Sequence, residues 1–205
     1  RSVMAVEPSA PMRQALERNV AGNNLSNVSV IGDLWEDAAV EPANVVMAAN
    51  VVIEVLHIEP FIKKMDESAL DRCILVIRDT QEVEGFGRIQ PGMALWFELW
   101  QKTWDEPPAI DPSAADLFNV LWQLGIRPDV QWFFTTSQAW ADLDQPVDWV
   151  ASQLYLPLST SLRSEIRGLM DDVMIPHPNG KGFIRKVPPR TAVMSWTPLG
   201  KQQNP

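Results

Sequence analysis

Within the first 80 residues, short apolar runs alternate with amphipathic stretches, and no other feature of the chain restricts its fold as much. Val3 to Val6 is apolar and leads through Glu7-Pro8-Ser9 into Met12, Ala15, Leu16 and Val20 at helical spacing, with Arg13, Glu17 and Arg18 between them. Pro8 and Pro11 suit the entry of that helix, and Gly22-Asn23-Asn24 suits its end. Val28 to Ile31 reads as a second strand, closed by Gly32-Asp33. Asn44 to Ala49 is apolar and β-branched, the pattern of a strand buried on both faces. Ile58 to Met65, with Phe61 and Ile62, reads as a helix, and Cys73 to Ile77 as a fourth strand without a polar residue inside it. Strand and helix in alternation predict parallel strands joined by right-handed crossovers. An acid at the carboxyl end of a strand and just before a helix, as Glu7 is, suits a hydrogen bond to a ribose diol.

The next segment changes character. Glu82 to Gly92 contains glycines and reads as a loop, in which Gly85-Phe86-Gly87 is a flexible pair rather than a phosphate cradle. Met93 to Trp104 gathers Leu95, Trp96, Phe97, Leu99, Trp100 and Trp104 into one helical stretch, broken by Pro107, Pro108 and Pro112. Ser113 to Leu124 resumes a helix, with Asp111 or Ser113 as its cap, and Gly125 stops it. Val130 to Thr135 is a strand rich in aromatics. Gln145 to Met170 reads as two helical pieces split near Leu156-Pro157, and Asn179-Gly180 signals a turn. Arg190 to Trp196 is the last strand, expected to pair antiparallel with Val130 to Thr135. Most of the nine tryptophans fall between Trp96 and Trp149, where they serve either as core or as aromatic walls of a substrate pocket.

Charge and cysteine usage exclude whole classes. The formal net charge of -9 repels nucleic-acid phosphates in bulk. A single cysteine, Cys73, in an apolar run is expected buried and unpaired, which favours a reducing, cytoplasmic setting. No apolar stretch approaches the roughly 20 residues that span a bilayer. Two histidines, His57 and His177, and one cysteine, all far apart, give no metal-ligand spacing. Neither a serine-nucleophile context nor a phosphate-binding Walker loop is present. Arg1 is not a start methionine, so the chain is expected to be processed or part of something longer.

The order of elements resembles the class I S-adenosylmethionine-dependent methyltransferases, from their second strand to their seventh. Three stretches carry the resemblance: Val3-Met4-Ala5-Val6-Glu7-Pro8-Ser9, Val30-Ile31-Gly32-Asp33-Leu34-Trp35, and Val45-Val46-Met47-Ala48-Ala49-Asn50-Val51 followed by Ile58-Glu59-Pro60-Phe61. The resemblance implies a Rossmann-like α/β fold: a mostly parallel sheet with helices on both faces, a C-terminal antiparallel hairpin and an N-terminal truncation. It implies S-adenosylmethionine as cofactor and S-adenosylhomocysteine as product. Glu7 and Pro8 would meet the ribose, Asp33 the adenine amino group, Leu34 or Trp35 the purine face, and Asn50 the strand-end crevice. His57 near a helix start, with Trp96 and Trp100, would line the substrate side. By its residues alone His57 reads first as an ordinary loop histidine, and the acidic balance favours a small molecule over nucleic acid as substrate.

The family's strand order is 3-2-1-4-5-7-6, and its first strand and glycine-rich loop have no counterpart in this sequence. Without the first strand, strands 3 and 2 are expected to separate from the rest, leaving unpaired edges. Three arrangements answer this: a segment outside the present sequence, a homodimer by strand exchange, or direct pairing of strand 2 with strand 4. The expected organisation is a core over 1–137, a helical cover over 138–184 inserted before the last strand, that strand over 185–199, and a disordered tail over 200–205. A degenerate, non-catalytic module acting through subunit pairing is the alternative function. A nicotinamide-dependent oxidoreductase shares the ribose-binding acid but suits the terminal strand pair poorly.

Overall fold

In the computed structural model, residues 1–78, 100, 104, 112–134, 139–153, 159–185 and 190–201 are described. The loop Glu82 to Gly92 with Gly85-Phe86-Gly87, the aromatic stretch around Trp96, and the break at Leu156-Pro157 lie outside them.

The chain opens with β1 (Val3–Val6), α1 (Ala10–Gly22) and β2 (Val28–Ile31). It continues with β3 (Ala43–Ala49), a 3-10 turn (Val52–Glu54), α2 (Ile58–Ser68) and β4 (Ala69–Arg78). Then come α3 (Ala114–Gln123), β5 (Asp129–Phe134), α4 (Asp144–Gln153) and α5 (Thr160–Val173). The hairpin β6 (Met174–Pro176) and β7 (Phe183–Arg185), β8 (Arg190–Trp196) and a 3-10 turn (Leu199–Lys201) complete it. The contacts divide into two compact units, 1–75 with 120–129 and 195–205, and 76–119 with 130–194.

Strand order carries the strongest fold information. β1 pairs with β2 in parallel, Val3 opposite Val28 through Val6 opposite Ile31. A separate four-stranded sheet runs β3-β4-β8-β5. Counted in the methyltransferase scheme, the two sheets are 3-2 and 4-5-7-6, with the break where the first strand would lie. The expected separation is therefore present. The rearranged alternative, strand 2 pairing directly with strand 4, is overturned, because β1 and β3 are not neighbours in either sheet. β8 lies between β4 and β5, beside the aromatic strand as expected.

Burial of β3 departs from the sequence reading. Val45 and Met47 are 50% and 64% exposed, although the run was expected to be covered on both faces. The physical reason is position: among the described residues β3 is an edge strand with β4 as its one neighbouring strand, and α2 packs against it. Val45 and Met47, two residues apart, share one face of the pleat. By contrast β4 buries Cys73, Leu75 and Ile77 completely. The Cys73 thiol donates to the carbonyl of Met65 at 3.3 Å, and burial pushes its pKa up to about 12.

Helix boundaries follow local chemistry. Ser113 caps α3: its hydroxyl accepts from Asp116 N at 3.1 Å while the Asp116 carboxylate accepts from Ser113 N at 3.0 Å, a reciprocal capping box, and Asp111 lies outside the described residues. Ser159 caps α5 by accepting from Leu162 N at 3.1 Å. Helices α4 and α5 enclose their own core of Leu143, Val147, Val150, Ile166 and Met170. The two helical pieces expected here are α4 and α5. The hairpin β6–β7 was not anticipated: three-residue strands are too short to show a period of two, and only its Asn179-Gly180 turn was visible.

Candidate functional site

The site grows from the parallel pair β1–β2. Because Val6 stands opposite Ile31, the residues that follow, Glu7 on one strand and Gly32-Asp33 on the other, leave the pair at the same end. Open α/β sheets bind ligands outside the carboxyl ends of their strands. Glu7 is half-buried there, while Pro8 and Asp33 are exposed.

The Glu7 carboxylate is aimed by its own backbone. Oε1 accepts from Ser9 N at 2.9 Å, and the Glu7 N–H donates to Ile31 O at 2.9 Å. Oε2 accepts no hydrogen bond among the described residues. An oriented carboxylate with one open oxygen is a ready acceptor for a hydroxyl proton.

Leu34 is 56% exposed and free to lie against a flat apolar ring. Trp35, the alternative purine wall, is engaged elsewhere. Its indole N–H donates to Phe61 O at 3.1 Å, its ring tilts against Phe61 at 6.1 Å, and the Lys64 ammonium sits 5.3 Å from its centroid. Lys64 also donates to Glu36 O and Ala38 O at 2.9 and 2.7 Å. Trp35 and Lys64 thus anchor the segment after β2 onto α2, a role in packing that the sequence reading missed.

Asn50 follows β3 with φ of 54°, in the left-handed region that asparagine tolerates better than most residues. The chain turns there into the 3-10 segment Val52–Glu54. His57 is the N-cap of α2, exposed and with no side-chain capping bond. Trp100 packs against the α4–α5 core, with its ring 6.0 Å from that of Trp104. Trp96 lies outside the described residues. The structure thus brings Glu7 and Asp33 to one strand end and places Trp100 in a packing environment. Among the described residues, no group of three His, Cys, Asp or Glu side chains could hold a metal ion, and no helix is long and apolar enough to cross a membrane.

No family profile and no curated protein matches the sequence. Solved structures do match. A candidate methyltransferase from Bacillus halodurans C-125 superposes with a TM-score of 0.60 at 10% identity, over 96% of this chain and 83% of that one. Geranyl diphosphate methyltransferase, solved with S-adenosylmethionine, gives a TM-score of 0.50 at 10% identity, over 97% of this chain and 69% of that one. The 4+2 cyclase SpnF gives 0.54 at 9% identity, over 96% of this chain and 65% of that one. The chain therefore has the Rossmann-like fold of the class I S-adenosylmethionine-dependent methyltransferases. The cyclase carries a different chemistry on the same fold, so function has to be argued from the site.

Proposed function

We propose that the protein binds S-adenosylmethionine and transfers its methyl group to a small-molecule nucleophile. The observation that carries this reading is the Glu7 carboxylate, held by Ser9 at one oxygen and open at the other, on the β1–β2 pair of a methyltransferase fold. When bound, the cofactor supplies an electrophilic methyl group on a sulfonium sulfur and leaves as S-adenosylhomocysteine.

The residues present fit the nucleoside half of that group. Glu7, with Pro8 beside it, accepts hydroxyl protons of the ribose. Asp33 accepts from the adenine amino group, and Leu34 covers a purine face. Asn50, just after the carboxyl end of β3, is the remaining candidate contact. Direct displacement at a sulfonium methyl needs alignment of the nucleophile more than it needs a strong acid or base. His57, exposed at the start of α2, is the candidate substrate contact. The lone buried thiol suits a reducing, cytoplasmic setting.

A second reading rests on a separate observation. Among the described residues β1 and β3 each lack a neighbouring strand on one side, and Val3, Met4, Val45 and Met47 are exposed on them. Such edges favour a cofactor-free module that works by pairing with another subunit, including a second copy by strand exchange.

Calorimetric titration separates the two. On the methyltransferase reading the chain releases heat with S-adenosylmethionine, and Glu7→Gln weakens binding by about tenfold, the scale of one charge-assisted hydrogen bond. Absence of binding by the unsubstituted chain overturns that reading and leaves the pairing module, whose signature is a concentration-dependent mass in sedimentation.

A further inference from the structure

We infer that Arg13 is a positioning residue, which sets how the Glu7 carboxylate meets a sugar diol by tying the carboxyl ends of β1 and β2 together; the inference rests on the nucleoside-binding reading above. By sequence, Arg13 is one of the charged residues between the apolar positions of α1. In the structure it is half-buried, and its side chain turns back toward the strand ends.

Arg13 Nη1 donates to Glu7 O at 3.0 Å, to Pro8 O at 3.2 Å and to Gly32 O at 3.5 Å. One guanidinium nitrogen therefore spans the turn that carries Glu7 and the turn that carries Asp33. The backbone of β1–β2 supplies few other ties, since each strand is only four residues long. Glu7 is consequently held at three points: N–H on Ile31 O, C=O on Arg13, and Oε1 on Ser9 N. Only Oε2 stays open among the described residues.

Gly32 is the counterpart of this clamp. A Cβ built there would stand 3.0 Å from both Arg13 Cζ and Nη1, and 3.2 Å from Nε. The guanidinium thus lies directly against the bare α-carbon of Gly32. A methyl group at that position moves the flexible end of Arg13 and leaves Arg13 itself in the sequence. Two substitutions on different strands, Arg13→Met and Gly32→Ala, consequently disturb the same contact.

Positioning predicts a selective defect. Binding of S-adenosylhomocysteine and of its 2′,3′-dideoxy analogue is measured by calorimetry on the full chain and on both variants, with a thermal unfolding midpoint for each. The unsubstituted chain should prefer the diol ligand by about tenfold. In Arg13→Met and in Gly32→Ala that preference should fall to about threefold or less, and Arg13→Lys should restore part of it through its three donors. If both variants weaken the two ligands equally and keep the ratio, Arg13 is merely structural and the inference is overturned. Retention of the full preference with unchanged affinities overturns it as well. Should one variant fail to fold, the other decides. A chain that binds neither ligand before substitution refutes the nucleoside reading itself, and the inference with it, whereas binding with a diol preference that the variants keep refutes the inference alone.

Discussion

Two strand–helix–strand units of nearly the same sequence grammar open this chain, and they are buried to opposite degrees. In β1–α1–β2, helix α1 has no buried residue, and Val3 and Met4 are 52% and 41% exposed. In β3–α2–β4, helix α2 buries Phe61, Ile62 and Met65, and β4 buries Cys73, Leu75 and Ile77. Apolar periodicity is present in both. The difference lies in neighbours: among the described residues β4 is flanked by β3 and β8, whereas β1 pairs with β2 alone. Periodicity decides that an element forms with one apolar face, and the number of elements packed around it decides how much of that face leaves water.

The two units should respond differently to truncation, most strongly at the helices. Met65→Ala, at a site with no exposure, should cost about 2–5 kcal/mol in urea unfolding. Leu16→Ala, half-buried on α1, should cost less than about 1 kcal/mol. Equal losses would break the comparison.

A smaller effect is expected where α2 meets the end of β8. Asp66 accepts from Trp196 Nε1 at 2.9 Å and from Leu199 N at 3.1–3.2 Å. Asp66→Ala leaves both donors unpaired and should cost about 1–3 kcal/mol, read from the same unfolding curves. No bond of this length in sequence is visible before folding, since the partners are 130 and 133 residues apart.

Capping sharpens the contrast further. Ser159 caps α5 with its side chain, whereas Ser9, the N-cap of α1, makes no side-chain capping bond. Ser159→Ala should therefore destabilise by about 1 kcal/mol and Ser9→Ala by only a few tenths. The least effect is expected on the outer face of β3. Met47→Thr should change stability by no more than about 0.5 kcal/mol. A loss above about 2 kcal/mol would mean that this face is covered in solution, and sedimentation of the same sample would show whether a second copy covers it.

Most of the element order was legible because strands and helices of four residues or more announce themselves by local spacing. Glu7, Asp33 and Asn50 were legible as strand-end residues for the same reason. Arg13 was not, since its helical position says nothing about which way a long side chain folds back. Trp35 misled because a tryptophan beside an acid looks the same whether it faces a ligand or, as here, hydrogen bonds to Phe61 O. The β6–β7 hairpin was hidden by its three-residue strands.

Local periodicity and turn chemistry by themselves determined the α/β class, the alternation of elements and the acid at the first strand's end, because these depend on residues close along the chain. Tertiary structure alone decided the exposure of β3 and the clamp of Arg13 on Gly32, and it chose the expected break between the two sheets over direct pairing of β1 with β3. Those features arise from contacts between distant residues, and a contact of that kind leaves no trace in the spacing of the residues that make it.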